Sequence, residues 1–348
     1  MSIAFGTAAD GRFVARCDGG IVAVPGYGSF DELLAKPRAA WLEVIEHLSS
    51  RERVDAGSLE PLDVPSPEWI DSPELTLPFT IGDYVDFYSS LEHATFFGRL
   101  LRPEGDPLLP NWRRMPVGYH GRASTIVVSG TPVQRPRGQL NPGEFDSTRA
   151  LDIEVELGFV VGGTANSLGD PIPIAEAAER IFGVVLLNDW SARDIQRFES
   201  QPLGPFLAKA FATSISPWVV PVAVLEPVRV HGPRQEPEPL PYLIGGGDWN
   251  FDIDLEVELN GERIAATNAR GLYWSAAQQL AHLASGGAIV RPGDLLGTGT
   301  ISGGQQESGG SLMEMGRPFL ADGDEIVIRG RAGDVELGAV SGTILAHR

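Results

Sequence analysis

LDIEVELGFVV, residues 151–161, sets Asp152, Glu154 and Glu156 alternately with Ile153, Val155 and Leu157, then runs into Phe159-Val160-Val161. Alternate side chains of a strand share a face. The stretch therefore predicts a strand that lines up carboxylates and then enters a core. Carboxylates crowded beside a core repel one another unless they are protonated or neutralised by a cation. Both a metal site and a protonated acid row fit that pattern. FDIDLEVEL, residues 251–259, alternates in the same way with Asp252, Asp254, Glu256 and Glu258, but it runs into Asn260-Gly261 and then Glu262-Arg263. Asn-Gly is the strongest short hairpin signal, so these acids are read as the wet face of an antiparallel hairpin.

Working outward, IFGVVLLNDWSARDIQRFE (181–199) predicts an apolar strand that ends at Asn188-Asp189. A short helix should follow, with Ser191 and Asp194 spaced as a capping box. Arg193 and Gln196 would share one helix face and both donate to one anion; the plain alternative is a surface pair. Lys209 lies in the small and apolar run GPFLAKAFATS, so it needs a charge partner. The segment 83–102 carries Asp83, Asp86, Tyr88, His93 and Arg102. Loops on a rigid β scaffold often bear such groups, though surface decoration fits as well. Gly297-Thr298-Gly299-Thr300 allows close approach to a ligand, yet it lacks the GK[ST] ending of a phosphate loop. No HExxH, GxSxG or zinc-ligand spacing occurs, which argues against zinc peptidase and serine hydrolase chemistry.

The chain has 348 residues, including 42 Gly and 27 Pro. So many turn formers argue against a coiled coil or helix bundle. A formal net charge of -19 disfavours nucleic acid and anionic membrane as partners; it suits a bound cation or simple solubility. The single cysteine, Cys17, excludes an intrachain disulfide framework and points to a reducing compartment, here expected to be cytoplasmic. The opening MSIAFGTAADGR has no apolar core ahead of Asp10 and Arg12, so it is not expected to act as a secretory signal. Residues 12–24 read as two short strands around Asp18-Gly19-Gly20, and 39–50 as an amphipathic helix. Pro61, Pro65, Pro67, Pro73 and Pro78 then punctuate the chain. A small N-terminal domain is expected over 1–78 and a larger, mainly β domain over 79–348.

The run from Ile81 to Arg102, MPVGYHGRAS (115–124), VVSGTP (127–132), LDIEVEL, NDWSARDIQ, PLGPFLAK, SPWVVP (216–221), RPGDLL (291–296), GTISG (299–303) and FLADGDE (319–325) together closely resemble the fumarylacetoacetate hydrolase family. The resemblance runs from about residue 79 to residue 348; the first 78 residues match only loosely. It implies a mixed β-sandwich roll behind a small SH3-like β domain, a homodimer, and a divalent cation, Mg2+ or Ca2+. The implied cation ligands are Asp86, Glu154, Glu156 and Asp189, with a further ion near Lys209 and Thr213. His93 and Glu314 would be the base and its orienting partner. Arg193, Gln196 and Lys209 would face the developing oxyanion, and Tyr88, Arg102, Tyr119 and Thr300 would hold the substrate. That substrate would be a small diketo-dicarboxylate, 4-fumarylacetoacetate, hydrolysed at a carbon–carbon bond as in the last step of tyrosine and phenylalanine breakdown. An acylpyruvate-type hydrolase and a non-catalytic metal-binding homologue are the alternatives. The chain departs from the family pattern at Ser200, where the family usually carries a substrate-contacting Tyr.

Overall fold

The structure, a computed structural model, describes residues 3–18, 20–50, 70, 72–246 and 249–347. Its largest sheet has eight strands. In spatial order seven of them are Gly118–His120, Tyr84–Phe87, Leu295–Gly297, Val155–Val161, Ile181–Asp189, Thr213–Ile215 and Ile126–Val128; Val220–Pro221 also pairs with Ile181–Asp189. The two central strands, Val155–Val161 and Ile181–Asp189, are buried along their whole length. That explains their nearly unbroken apolar runs. They pair antiparallel, with Val155 opposite Asn188 and Phe159 opposite Val184.

Two local expectations need correction. The strand predicted over 151–161 is interrupted. Leu151–Asp152 pairs with Ser191–Ala192, and regular pairing resumes at Val155. Between them the Asp189 amide still donates to Glu154 O at 3.1 Å, so the register carries through while the Ile153 amide is lost to a side chain. The Asp152 carboxylate accepts from the Ile153 and Leu312 amides, a side-chain bond that competes with ladder pairing. The capping box at Ser191 does not form either. The helix Arg193–Glu199 starts from Ala192. Ser191 is held in its strand pair and donates to Asp189 O, while Asp194 accepts from Thr148 and the Arg149 amide.

A second, five-stranded sheet runs Glu262–Asn268, Asp254–Leu259, Glu325–Ala332, Val335–Leu345 and Val133–Gln134. It packs against the first through Leu186 and Trp190. These stand so close that a Cβ on Gly330 would lie 2.5 Å from Leu186, and one on Gly342 would lie 2.8 Å from Trp190. The result is a mixed β sandwich. The hairpin expected at Asn260-Gly261 is present, with φ of 52° and 80° at the two turn residues. Glu256 and Glu258 pair with Arg263 and Arg329 on its exposed side.

In the N-terminal region, Ala4–Thr7, Phe13–Cys17 and Gly20–Ala23 form a three-stranded antiparallel sheet, followed by helices Phe30–Leu34 and Arg38–Ser50. Pro61, Pro65 and Pro67 lie outside the described residues. Phe5 and Val219 exchange two backbone hydrogen bonds of 2.8 Å. Phe5, Phe30 and Trp41 pack on Phe182 of the large sheet. This layer buries the face carrying Tyr84, Val160, Val185, Leu187 and Leu295. Two-residue steps along the same strands lead from those apolar residues to Asp86, Glu156, Asp189 and Gly297. One end of a buried face thereby becomes polar. Among the described residues, no helix is long and apolar enough to cross a membrane.

Candidate active site

Asp86, Glu156 and Asp189 are buried, and one carboxylate oxygen from each lies within 4.8 Å of the others. They come from three strands of the large sheet. Gly297 gives the cluster its room. A Cβ there would lie 3.1 Å from both Asp86 Oδ1 and Glu156 Oε2. Burial raises the Glu156 pKa well above the usual carboxylate range, and Asp86, Asp189 and Glu154 push it further. Burial raises Asp86 as well, against the pull of Arg122. Asp86 Oδ1 and Glu156 Oε1 are buried with no hydrogen-bond donor. Unpartnered buried carboxylate oxygens are costly, and a hard divalent cation takes oxygen ligands of this kind. The residues therefore fit such an ion.

Glu154, expected as a ligand, stands outside that trio. Its Oε1 accepts from Arg193 Nη1 at 2.7 Å and its Oε2 from Lys209 Nζ at 2.5 Å. Burial alone would raise its pKa, but Lys209, Arg193 and His93 together hold it below the usual range. Lys209 also donates to Asp189 Oδ2 at 2.7 Å, and Thr213 donates to Asp189 Oδ1 at 2.9 Å. Lys209 thus has the charge partners its apolar surroundings demanded. Burial opposes its charge, yet Asp189 and Glu154 raise its pKa overall.

Beside this cluster stands a buried dyad. His93 occupies the first turn of the helix Leu91–Leu101, which is capped by Ser90. Its Nδ1 lies 3.0 Å from Glu314 Oε2, an ion-pair distance. Ser311 caps the short helix Leu312–Met315 and donates to Glu314 Oε2. Burial would raise the Glu314 pKa; His93, Ser311 and Ser302 outweigh it and bring the group below its usual value. Asp152 ties the halves of the site together. It holds Arg193 Nε at 2.8 Å and accepts from the Leu312 amide at the start of the Glu314 helix.

Around the dyad, Tyr88 lies edge-on to the His93 ring at 5.3 Å. Burial, then Glu154 and Glu314, raise the Tyr88 pKa, which keeps the phenol protonated. Arg193 Nη1 also reaches Gln196 Oε1 at 3.2 Å, and its guanidinium lies over Phe97. Arg193 Nη2 and Thr300 Oγ1 are buried without partners, so they are donors available to a ligand. Arg102 bonds the carbonyls of Asp106 and Pro107. Tyr119 stands opposite Asp86 in the strand ladder, stacked against Arg122. Ser200 turns its hydroxyl onto Gln196 O at the end of its own helix. A cleft of about 730 Å³, lined by Phe96, Arg99, Gln306 and Glu314 among others, reaches the Glu314 side of the dyad.

The sequence motifs alone gave no role to Asp152, Arg99 or Arg122. Asp152 stood in view as the first member of the acid row. Arg122 stood within the motif GYHGR, and the signal that would have found it is charge balance: a buried row of acids calls for cations.

Residues 84–344 match the family described as fumarylacetoacetate (FAA) hydrolase C-terminal. The chain is 49% identical over 303 residues to the fumarylacetoacetase of Rattus norvegicus, covering 79% of this chain and 72% of that one. It is 42% identical over 348 residues to the fumarylacetoacetase of Arabidopsis thaliana, covering 91% and 82%. Among solved structures, a fumarylacetoacetate hydrolase from psychrophilic Exiguobacterium antarcticum superposes with a TM-score of 0.63 at 19% identity, over 99% of this chain and 100% of that one. At that identity the superposition speaks for the fold alone.

Proposed function

The chain belongs to the fumarylacetoacetate hydrolase family, and from that premise we propose that it hydrolyses the carbon–carbon bond of 4-fumarylacetoacetate to fumarate and acetoacetate. The observation that carries the reading is the buried His93–Glu314 pair set beside an acid cluster and unspent donors.

Cleaving a 1,3-diketone by water needs a base, a stabilised oxyanion and a stabilised carbanion. His93, oriented by Glu314, takes the proton of the attacking water. As the carbon–carbon bond breaks and its electron pair leaves on the acetoacetate carbon, the imidazolium returns that proton to it, a role worth typically about 10²–10⁴-fold in rate. The oxyanion at the attacked carbonyl is received by Arg193, whose Nη2 is free, together with Gln196 and Lys209. Thr300, Tyr88 and Tyr119 orient the substrate, and Arg102 anchors a terminal carboxylate by a charge-assisted bond. A divalent cation, Mg2+ or Ca2+, held by Asp86, Glu156 and Asp189 with Glu154, would supply Lewis-acid polarisation of the diketone oxygens; Lys209 and Thr213 would border a further ion.

The same reading places the chain in the cytoplasm as a homodimer, with a boundary between residues 1–78 and 79–348. The exposed Leu203 and Phe206, just after the Arg193 helix, support self-association. The presence and pairing of both His93 and Glu314 speak against a non-catalytic homologue. The test is product identification with fumarylacetoacetate and an acylpyruvate side by side, with and without chelator. Cation-dependent release of fumarate and acetoacetate supports the assignment. Faster cleavage of the acylpyruvate would transfer it to that substrate class.

A further inference from the structure

Arg122 is absorbed by none of the roles above, yet its side chain is only 5% exposed and lies against the acid cluster. Its Nη2 donates to Asp86 Oδ2 at 2.6 Å and to Asp189 Oδ2 at 2.9 Å. We propose that Arg122 is the built-in competitor of the divalent cation, so that cation binding is an exchange against its guanidinium. The proposal rests on reading the acid cluster as the cation site.

A carboxylate oxygen engaged by an N–H presents less of itself to a cation that must approach to about 2.0–2.6 Å. Two of the three trio residues are bridged in this way by one nitrogen. Lys209 bridges a different pair, Glu154 and Asp189, and makes no hydrogen bond to Asp86. The fit of Arg122 is incomplete. Its Nε is buried without an acceptor, while Asp86 Oδ1 and Glu156 Oε1 are buried without a donor. A planar fork cannot reach oxygens on all sides of the cluster, whereas a spherical ion can. The guanidinium also has a surface to lie on. It sits 4.9 Å from the Tyr84 ring centre and 4.8 Å from that of Tyr119, and such contacts keep a cation favourable when its carboxylate bonds open. Its backbone, at φ 62°, is left-handed, a conformation that a non-glycine residue holds only when its surroundings impose it. One consequence is selectivity. Arg122 already supplies a single positive charge, so a monovalent ion gains little by displacing it, whereas a divalent ion gains more.

The test is calorimetric titration of Mg2+ and Ca2+ into the full chain and into Arg122→Met, Arg122→Lys and Glu156→Gln, with thermal melting of each variant with and without the cation. Arg122→Met should bind at least about tenfold more tightly, the scale of one charge-assisted hydrogen bond released. Its melting temperature should rise more on adding cation than that of the unaltered chain. Arg122→Lys, which keeps the charge and loses the fork, should fall between the two; if Arg122→Met does not fold, tighter binding by Arg122→Lys supports the competitor role in its place. Glu156→Gln keeps both acceptors of Arg122 and should bind weakly. Equal or weaker binding by the Arg122 variants, with Glu156→Gln impaired, overturns the competitor role alone. If Glu156→Gln titrates like the unaltered chain, the cation site itself is wrong and this inference falls with it.

Discussion

Gly297 and Asp86 face each other on adjacent parallel strands, and a Cβ on Gly297 would stand 3.1 Å from Asp86 Oδ1. It would also stand 2.9 Å from Tyr84 Oη. The φ of Gly297 is not positive, so alanine fits its backbone and the whole cost lies in volume. Gly297→Ala should lose about 1–3 kcal/mol of stability by overpacking and weaken cation binding by roughly tenfold or more. Urea unfolding and calorimetry measure the two effects. A variant as stable and as tightly binding as the parent would mean that this face has slack.

Lys209 and Arg329 each pair with carboxylates, but only Lys209 is buried. Removing one partner of a buried pair typically costs about 3–5 kcal/mol, whereas an exposed pair contributes about 0–1 kcal/mol. Lys209→Met should therefore be severely destabilised and Arg329→Ala almost unchanged in denaturant midpoint. Similar losses for both would show that burial does not set the energetics here.

Glu314 supplies a pH dependence of defined sign. Its folded pKa lies below the ordinary 4.5. Its ionised form therefore stabilises the fold above that value, and the contribution fades as pH falls through the folded pKa. The stability gap between the parent and Glu314→Gln should be wide at neutral pH and close below about pH 4.5. A gap that widens on acidification would reverse the assigned direction.

Ser200 spends its hydroxyl on its own helix and brings no ring to the pocket. The expected result is a roomier site that binds substrate less tightly and keeps the same chemistry. Ser200→Tyr should lower KM for fumarylacetoacetate and leave kcat nearly unchanged, because binding gained equally by ground and transition states does not alter kcat. Steady-state kinetics with a bulkier acyl diketone alongside would show whether discrimination also rises. No change in either quantity would remove Ser200 from the pocket wall.

What the sequence made legible was periodic. The strand 181–189, the hairpin at Asn260-Gly261 and the helix beginning at Arg38 follow from alternation, turn chemistry and helical spacing. The sequence also showed that Lys209 needed a partner. It could not show the partner, because Glu154 and Asp189 reach Lys209 only through the pairing of distant strands. The break at Ile153-Glu154 was hidden for a similar reason: the Asp152 carboxylate is drawn to the Leu312 amide, far along the chain. Nothing in GYHGR announces that Arg122 is buried, because its burial comes from Tyr84 and Tyr119 packing against it.

In the proposed mechanism His93 handles the proton while a separate acid cluster holds the cation. His93→Ala probes that division of labour, through kinetics with fumarylacetoacetate and calorimetric titration of Mg2+ and Ca2+ on the same preparation. The expected outcome is a kcat lower by about 10²–10⁴-fold with the cation affinity where it was. Undiminished turnover, or a variant that loses the cation along with its activity, would contradict it.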